Sequence, residues 1–104
     1  MQGNIEAKPL FIPLKTEFFE AFERGEKNTE YRMYGARWNE RTCFVGRRVV
    51  LSHGYGSKRR LYGIVRDFQA SRAVTLREDW RECYGVNPRA IAACIRIEII
   101  KAVV

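Results

Sequence analysis

Four residues in the run Gly25-Glu26-Lys27-Asn28-Thr29-Glu30-Tyr31-Arg32 have the types and the spacing to do chemistry together: Gly25, Lys27, Glu30 and Arg32. A glycine that ends a helix takes positive φ without strain, so the chain can turn away and a lysine two residues on can swing over the next element. Glu30 and Arg32 lie two apart, which in an extended strand puts both on one face, with Thr29 and Tyr31 on the other. A carboxylate between two cations can accept hydrogen bonds from an amino group or take a proton, while the cations hold a phosphate or an oxyanion. The same charges can also serve as an ion-pair network that fastens a helix to a strand.

A helix must therefore precede Gly25 and a strand must come after it, and the sequence supplies both. Leu10 to Leu14 (LFIPL) reads as a short strand, with Pro13 marking an edge or an end. Thr16 is the expected N-cap of a helix with Glu17 in its first turn, Phe18, Phe19 and Phe22 on its core face and Gly25 at C′. Residues 29–32 have strand composition. Residues 33–46 show no period and carry Gly, Asn and Arg, which predicts a long loop with at most a helical turn, a length that often marks function. Residues 48–53 and 60–70 read as a hairpin joined by Gly54-Tyr55-Gly56-Ser57, with Gly63 a candidate bulge. Thr75 to Glu78 has capping-box spacing for a second helix that puts Leu76, Trp80 and Cys83 or Tyr84 on one face and stops at Gly85, and Asn87-Pro88 then breaks the chain. Residues 93–103 alternate, with Ile95, Ile97 and Ile99 inward and Arg96 and Glu98 outward. The order predicts an α+β fold, a small mostly antiparallel β-barrel with two or three short helices.

At 104 residues the chain suits one domain, 1–104. Its net charge of +7 is concentrated: between Arg32 and Arg66 nine Lys or Arg face Glu40 alone, a net +8, so the remainder carries about −1. Such a stretch suggests a polyanion, and Tyr34, Trp38, Phe44, Tyr55 and Tyr62 interleaved with it suggest nucleic acid. Arg37, Arg41, Arg47, Arg48, Lys58, Arg59 and Arg60 are the expected phosphate-holding surface. Cys43, Cys83 and Cys94 lack C-x-x-C spacing and His53 is the single histidine, so neither a disulfide framework nor a metal site is expected, and no cofactor is implied. The N-terminus has no long apolar run and no window approaches a membrane span, so a cytoplasmic protein without a membrane partner is expected. The sequence leaves the oligomeric state open.

The motif residues resemble a known family. Gly25, Lys27, Glu30 and Arg32 match all four defining positions of the G-x-K-x-x-E-x-R signature of the ASCH domain, where it lies between the first helix and the next strand, as it does here. The resemblance extends from LFIPLK to IRIEIIKAV, and YGARWNERTCFVG with the VVLSHGYG hairpin after it resembles a small bacterial and phage branch of that family. It implies a PUA-like barrel, a fold shared with modules that bind RNA or modified bases. On this reading Gly25, Lys27, Glu30, Arg32, Tyr34, Trp38, His53 and Tyr55 surround a ligand, RNA or a nucleotide, with DNA the lesser alternative. Trp38 and Tyr55 would stack a base, the neighbours Arg37 and Asn39 favouring partial exposure of Trp38.

The same resemblance implies two enzymatic alternatives, with Lys27 and Glu30 catalytic. Some ASCH relatives are amidohydrolases that deacetylate N4-acetylcytidine with a Lys, a Thr nucleophile and a Glu. Lys27 occupies the lysine position, but the threonine position is Glu30, and Thr29 points to the opposite face, so the activity does not carry over intact. For the later glutamate, Asp67, Glu78 and Glu82 stay open. Other relatives are ribonucleases, for which Lys27, Glu30, Arg32, Tyr34 and His53 could supply acid, base and phosphate clamp. A lone histidine at a strand end more often hydrogen-bonds a turn, and Ser52 beside it points the other way, which excludes a dyad. A third reading makes the motif structural in a protein-interaction accessory.

Overall fold

The computed structural model describes residues 7–56 and 58–100. The chain runs β1 (Leu10–Leu14), α1 (Thr16–Glu23), β2 (Thr29–Met33), β3 (Arg48–His53), β4 (Arg60–Ser71), a 3-10 turn (Ala73–Leu76), α2 (Glu78–Tyr84) and β5 (Ala92–Ile100). Ser57 of the expected hairpin turn and residues 101–103 of the expected last strand lie outside the described residues.

The strands form one sheet in the order β1-β3-β4-β5-β2. Three neighbouring pairs are antiparallel, but β1 and β3 run parallel, Leu10 opposite Val49 and Leu14 opposite His53. The sheet is therefore mixed, and the expectation of a mostly antiparallel barrel holds only in part. The reason is connectivity: α1, β2 and the long loop all lie between β1 and β3, a crossover long enough to return the chain in the same direction. The sheet curls into a half-barrel. Its edge strands, at opposite ends of the order, come within one side chain of each other, because Arg32 on β2 reaches the carbonyl of Pro13 on β1 at 2.6 Å.

The concave face holds the core. Ile12, Leu51, Val65, Ile95 and Ile97 alternate inward from four strands, and α1 covers them with Phe19 and Phe22. Full burial of each such ring contributes roughly 1.5–3 kcal/mol. The helix starts at Lys15 in the N-cap position, one residue before Thr16, without a side-chain cap. Thr16 instead hydrogen-bonds His53 at 2.6 Å. At the other end Gly25 has φ +78°, its N–H donates to Phe22 and that of Glu26 to Ala21, the two bonds of a Schellman turn. That turn aims Lys27 back toward the helix.

The loop between β2 and β3 has little regular structure, as expected, yet it is anchored. Asn39 accepts from the N–H groups of Arg41 and Thr42, donates to the carbonyls of Gly35 and Ala36, and its own carbonyl closes a helical turn with Cys43. Trp38 and Cys43 are thereby driven into the core. The β3–β4 hairpin pairs without a break, and the register slips instead between β4 and β5, from Val65 to Asp67, so the extra residue is Arg66, not Gly63. Gly63 answers a different need. A Cβ there would lie 2.7 Å from the Glu98 carbonyl and 2.8 Å from Ile97.

Gly63→Ala is therefore expected to destabilise the fold by about 1–3 kcal/mol through overpacking against backbone. Urea unfolding measures it, and an unchanged midpoint would show that β4 and β5 part without strain.

Candidate functional site

A cavity of about 300 Å³ opens along the free edge of β2. The end of β1 and the start of α1 (Pro13, Leu14, Lys15, Phe18) form one wall, the strand and its approach (Lys27, Glu30, Tyr31, Arg32) form the floor, and the turn and α2 (Val74, Arg77, Asp79, Trp80, Cys83, Tyr84) form the roof. Its volume is at the small end of the ~300–1,000 Å³ typical of small-molecule sites.

Glu30 sits at its base, its side chain 8% exposed, with the two carboxylate oxygens divided between two cations. Oε2 accepts from Arg32 Nε at 2.8 Å, and Oε1 lies 3.6 Å from Lys27 Nζ. Arg32 is further fixed by its bond to Pro13 O and by the Trp38 ring, 5.0 Å below the guanidinium. Lys27 is caged by the rings of Tyr31, Phe18 and Phe22 at 5.0, 5.4 and 5.5 Å. Burial holds its ammonium below the usual lysine range, opposed by the nearby Glu30 carboxylate. An ammonium has three donors, and Glu30 takes one direction only.

The roof adds a second ion pair. Arg77 grips Asp79 with two bonds, at 2.6 and 3.1 Å, and lies over the Tyr31 ring at 4.9 Å. The capping box expected at Thr75 does not form: the Thr75 hydroxyl donates to Arg72 O inside the 3-10 turn, and α2 begins after Arg77. Trp80 is buried and its ring meets that of Tyr84, one turn on, at 4.3 Å. Leu76, expected on the same buried face, is exposed. Gly85 ends α2 as expected.

The structure brings Lys27, Glu30 and Arg32 together in the cavity and leaves other expected ligand residues outside it. Gly25 shapes the turn. Tyr34 donates to the Glu40 carboxylate, which raises the Tyr34 pKa and lowers that of Glu40. His53 is spent on Thr16 and the edge of the Phe19 ring. The expected partial exposure of Trp38 is corrected: at 8% exposure it is core, with the guanidinium groups of Arg32 and Arg37 over its ring. Tyr55 is exposed at the hairpin, against Phe11 and away from the cavity lining.

The expected phosphate surface thins as well. Arg47 donates to the carbonyls of Lys8 and Thr42, Arg59 pairs with Glu23 at 2.6 Å and covers Phe19, and Arg60 donates to the Ser52 hydroxyl over Phe11. Arg47 and Arg60 are half-buried, while Arg59 stays exposed beside its carboxylate partners. Arg37, Arg41, Arg48 and Lys58 remain exposed. None of Asp67, Glu78 and Glu82 lines the cavity; the second carboxylate there is Asp79, which spacing did not single out. The thiols are free, burial pushing those of Cys43 and Cys94 up, while Cys83 opens on the cavity. Among the described residues no group of His, Cys, Asp and Glu gathers to hold a metal, and no helix is long and apolar enough to cross a membrane.

The cluster predicts an asymmetry between its two cations. Each substitution takes one partner from Glu30, but Arg32→Ala also removes the seam contact and the shorter bond, an expected loss of about 3 kcal/mol, whereas Lys27→Met removes the longer contact together with a desolvated charge and is expected to cost less, about 1 kcal/mol. Since the unfolded chain holds the Lys27 proton more tightly, wild type gains stability relative to Lys27→Met as pH rises from the folded pKa toward ~10.4. Urea midpoints between pH 7 and pH 10 test both, and equal losses at pH 7 would show that the cations share one role. No protein-family model and no curated protein sequence matches the chain.

Proposed function

We propose that this chain is an ASCH-type, PUA-like module that binds RNA or a nucleotide, gripping one base in the β2-edge cavity. The observation that carries the reading is Lys27: a cation with spare donors, caged by aromatic rings, in an aromatic-walled cavity sized for a small planar ligand. Proteins that hold single nucleotides combine flat apolar surface with a few fixed polar groups, and the cavity offers both. Arg41, Arg48, Lys58 and the outer side of Arg37 are the cations left to track a phosphate backbone.

Binding is favoured over hydrolysis by the state of Glu30. Both its oxygens are engaged by cations, so it positions Lys27 better than it accepts a proton. A lysine below its usual range is the one feature that favours a hydrolase through the same cavity, with Lys27 as the base.

Titration into labelled single-stranded RNA, duplex RNA and DNA at two salt concentrations tests the reading. Lys27→Ala is expected to weaken RNA binding about tenfold with the strand intact. The combined Arg41→Glu, Arg48→Glu and Lys58→Glu variant is expected to flatten the salt dependence by roughly 0.7 per lost phosphate contact. Strand cleavage abolished by Lys27→Ala would promote the hydrolase, and wild type that binds none of the three would sink the RNA reading.

A further inference from the structure

The edge of β2 carries backbone groups that the sheet does not use. In an antiparallel pair, residues alternate between those that bond across the ladder and those that turn their N–H and C=O away from it. On β2 the bonded set is fixed at both ends: Asn28 accepts from Ile97 at 2.8 Å and Tyr34 donates to Ile91 at 2.9 Å. With Glu30 opposite Ile95 and Arg32 opposite Ala93, these four face β5. Thr29, Tyr31 and Met33 must then turn their backbone groups outward, and because β2 ends the strand order no strand lies beyond them among the described residues.

Tyr31 is the member of that outward set that lines the cavity. Among the described residues its carbonyl is approached only by the Tyr84 hydroxyl, at 3.5 Å, the limit of a hydrogen bond. Its N–H has no hydrogen-bond partner among the described residues. An N–H and a C=O of one extended residue point the same way, so the cavity floor presents a donor beside an acceptor. A second strand cannot use them, since α2 roofs the edge with Trp80 and Tyr84 and Pro13 closes the far wall.

We infer that Tyr31 reads the ligand through its backbone: the cavity takes a planar heterocycle that carries an acceptor beside a donor, paired with the Tyr31 N–H and C=O as a neighbouring strand would be. The inference rests on the base-binding reading and deepens it by naming the ligand edge. Lys27 and Glu30 flank that pair on the same floor. The Tyr31 ring is covered by Arg77 and helps to cage Lys27, so the side chain supports the roof while the main chain does the reading.

Selective ¹⁵N-tyrosine labelling reports on this directly. The Tyr31 amide is assigned by its disappearance in Tyr31→Phe, and Tyr34, whose N–H is bonded inside the sheet, serves as the reference. Uridine, cytidine, guanosine and adenosine are titrated in turn, with 3-methyluridine and N4,N4-dimethylcytidine as edge-blocked controls and calorimetry run alongside. The expected result is a saturable downfield shift of the Tyr31 amide with a nucleoside, while Tyr34 stays in place. The blocked analogue of uridine or cytidine, whichever binds, is expected to bind about tenfold or more weakly. Calorimetric binding with an unmoved Tyr31 amide would overturn the inference and leave the base-binding reading standing. No heat with any nucleoside would overturn both.

Discussion

A carboxylate shared between two cations closes this fold. The sheet curls without meeting itself, and the gap falls between β1 and β2, the strands at opposite ends of its order. Arg32 spans it to Pro13 O, and Glu30 holds Arg32 in place from the same strand face. A charge as buried as Glu30 persists only when its oxygens are satisfied, and here one goes to the seam and the other to Lys27. Around it the Schellman turn at Gly25, the stack on Trp38 and the phenylalanine face of α1 all act to keep those three side chains in register.

The division of labour within the cluster shapes what the site can do. Arg32 is committed to the seam, with Nε on Glu30, Nη2 on Pro13 O and one guanidinium face on the Trp38 ring. Lys27 has Glu30 as its carboxylate partner, sits among three aromatic rings and lines the cavity. The roof comes from a distant part of the chain, the connection between β4 and β5, and carries its own balanced pair in Arg77 and Asp79. On the proposed reading, polar recognition in the cavity would rest on Lys27 and on the outward backbone of β2, with aromatic walls supplying shape.

How far this could be read from the sequence varied with the range of the interaction. The G-x-K-x-x-E-x-R run was legible because its geometry is local: a glycine-capped helix end and a two-residue strand period suffice to bring Lys27, Glu30 and Arg32 together. The inward set Ile95, Ile97 and Ile99 was legible for the same reason. The roof was not, since nothing in residues 73–84 reveals that they fold over the edge of a strand forty residues earlier. Trp38 misled because its neighbours are polar, while the asparagine after it knots the loop and turns the indole inward. In the basic stretch the sum hides local partners: Arg47, Arg59 and Arg60 count as charge in the sequence and in the fold also pair with carbonyls, carboxylates and a hydroxyl. The parallel pairing of β1 with β3 also lay beyond local patterns, because strand direction is set by the whole crossover.

The claim at the centre of this account is that Lys27 is the desolvated, ligand-facing cation of the seam cluster. Its ¹³Cε resonance, monitored through a pH titration with and without saturating nucleoside, tests that most directly. The account predicts a midpoint below the ordinary lysine range of ~10.4 in the free protein and a marked displacement of that midpoint when the cavity is filled. A Lys27 that titrates as an ordinary surface lysine, unmoved by any nucleoside, would contradict it.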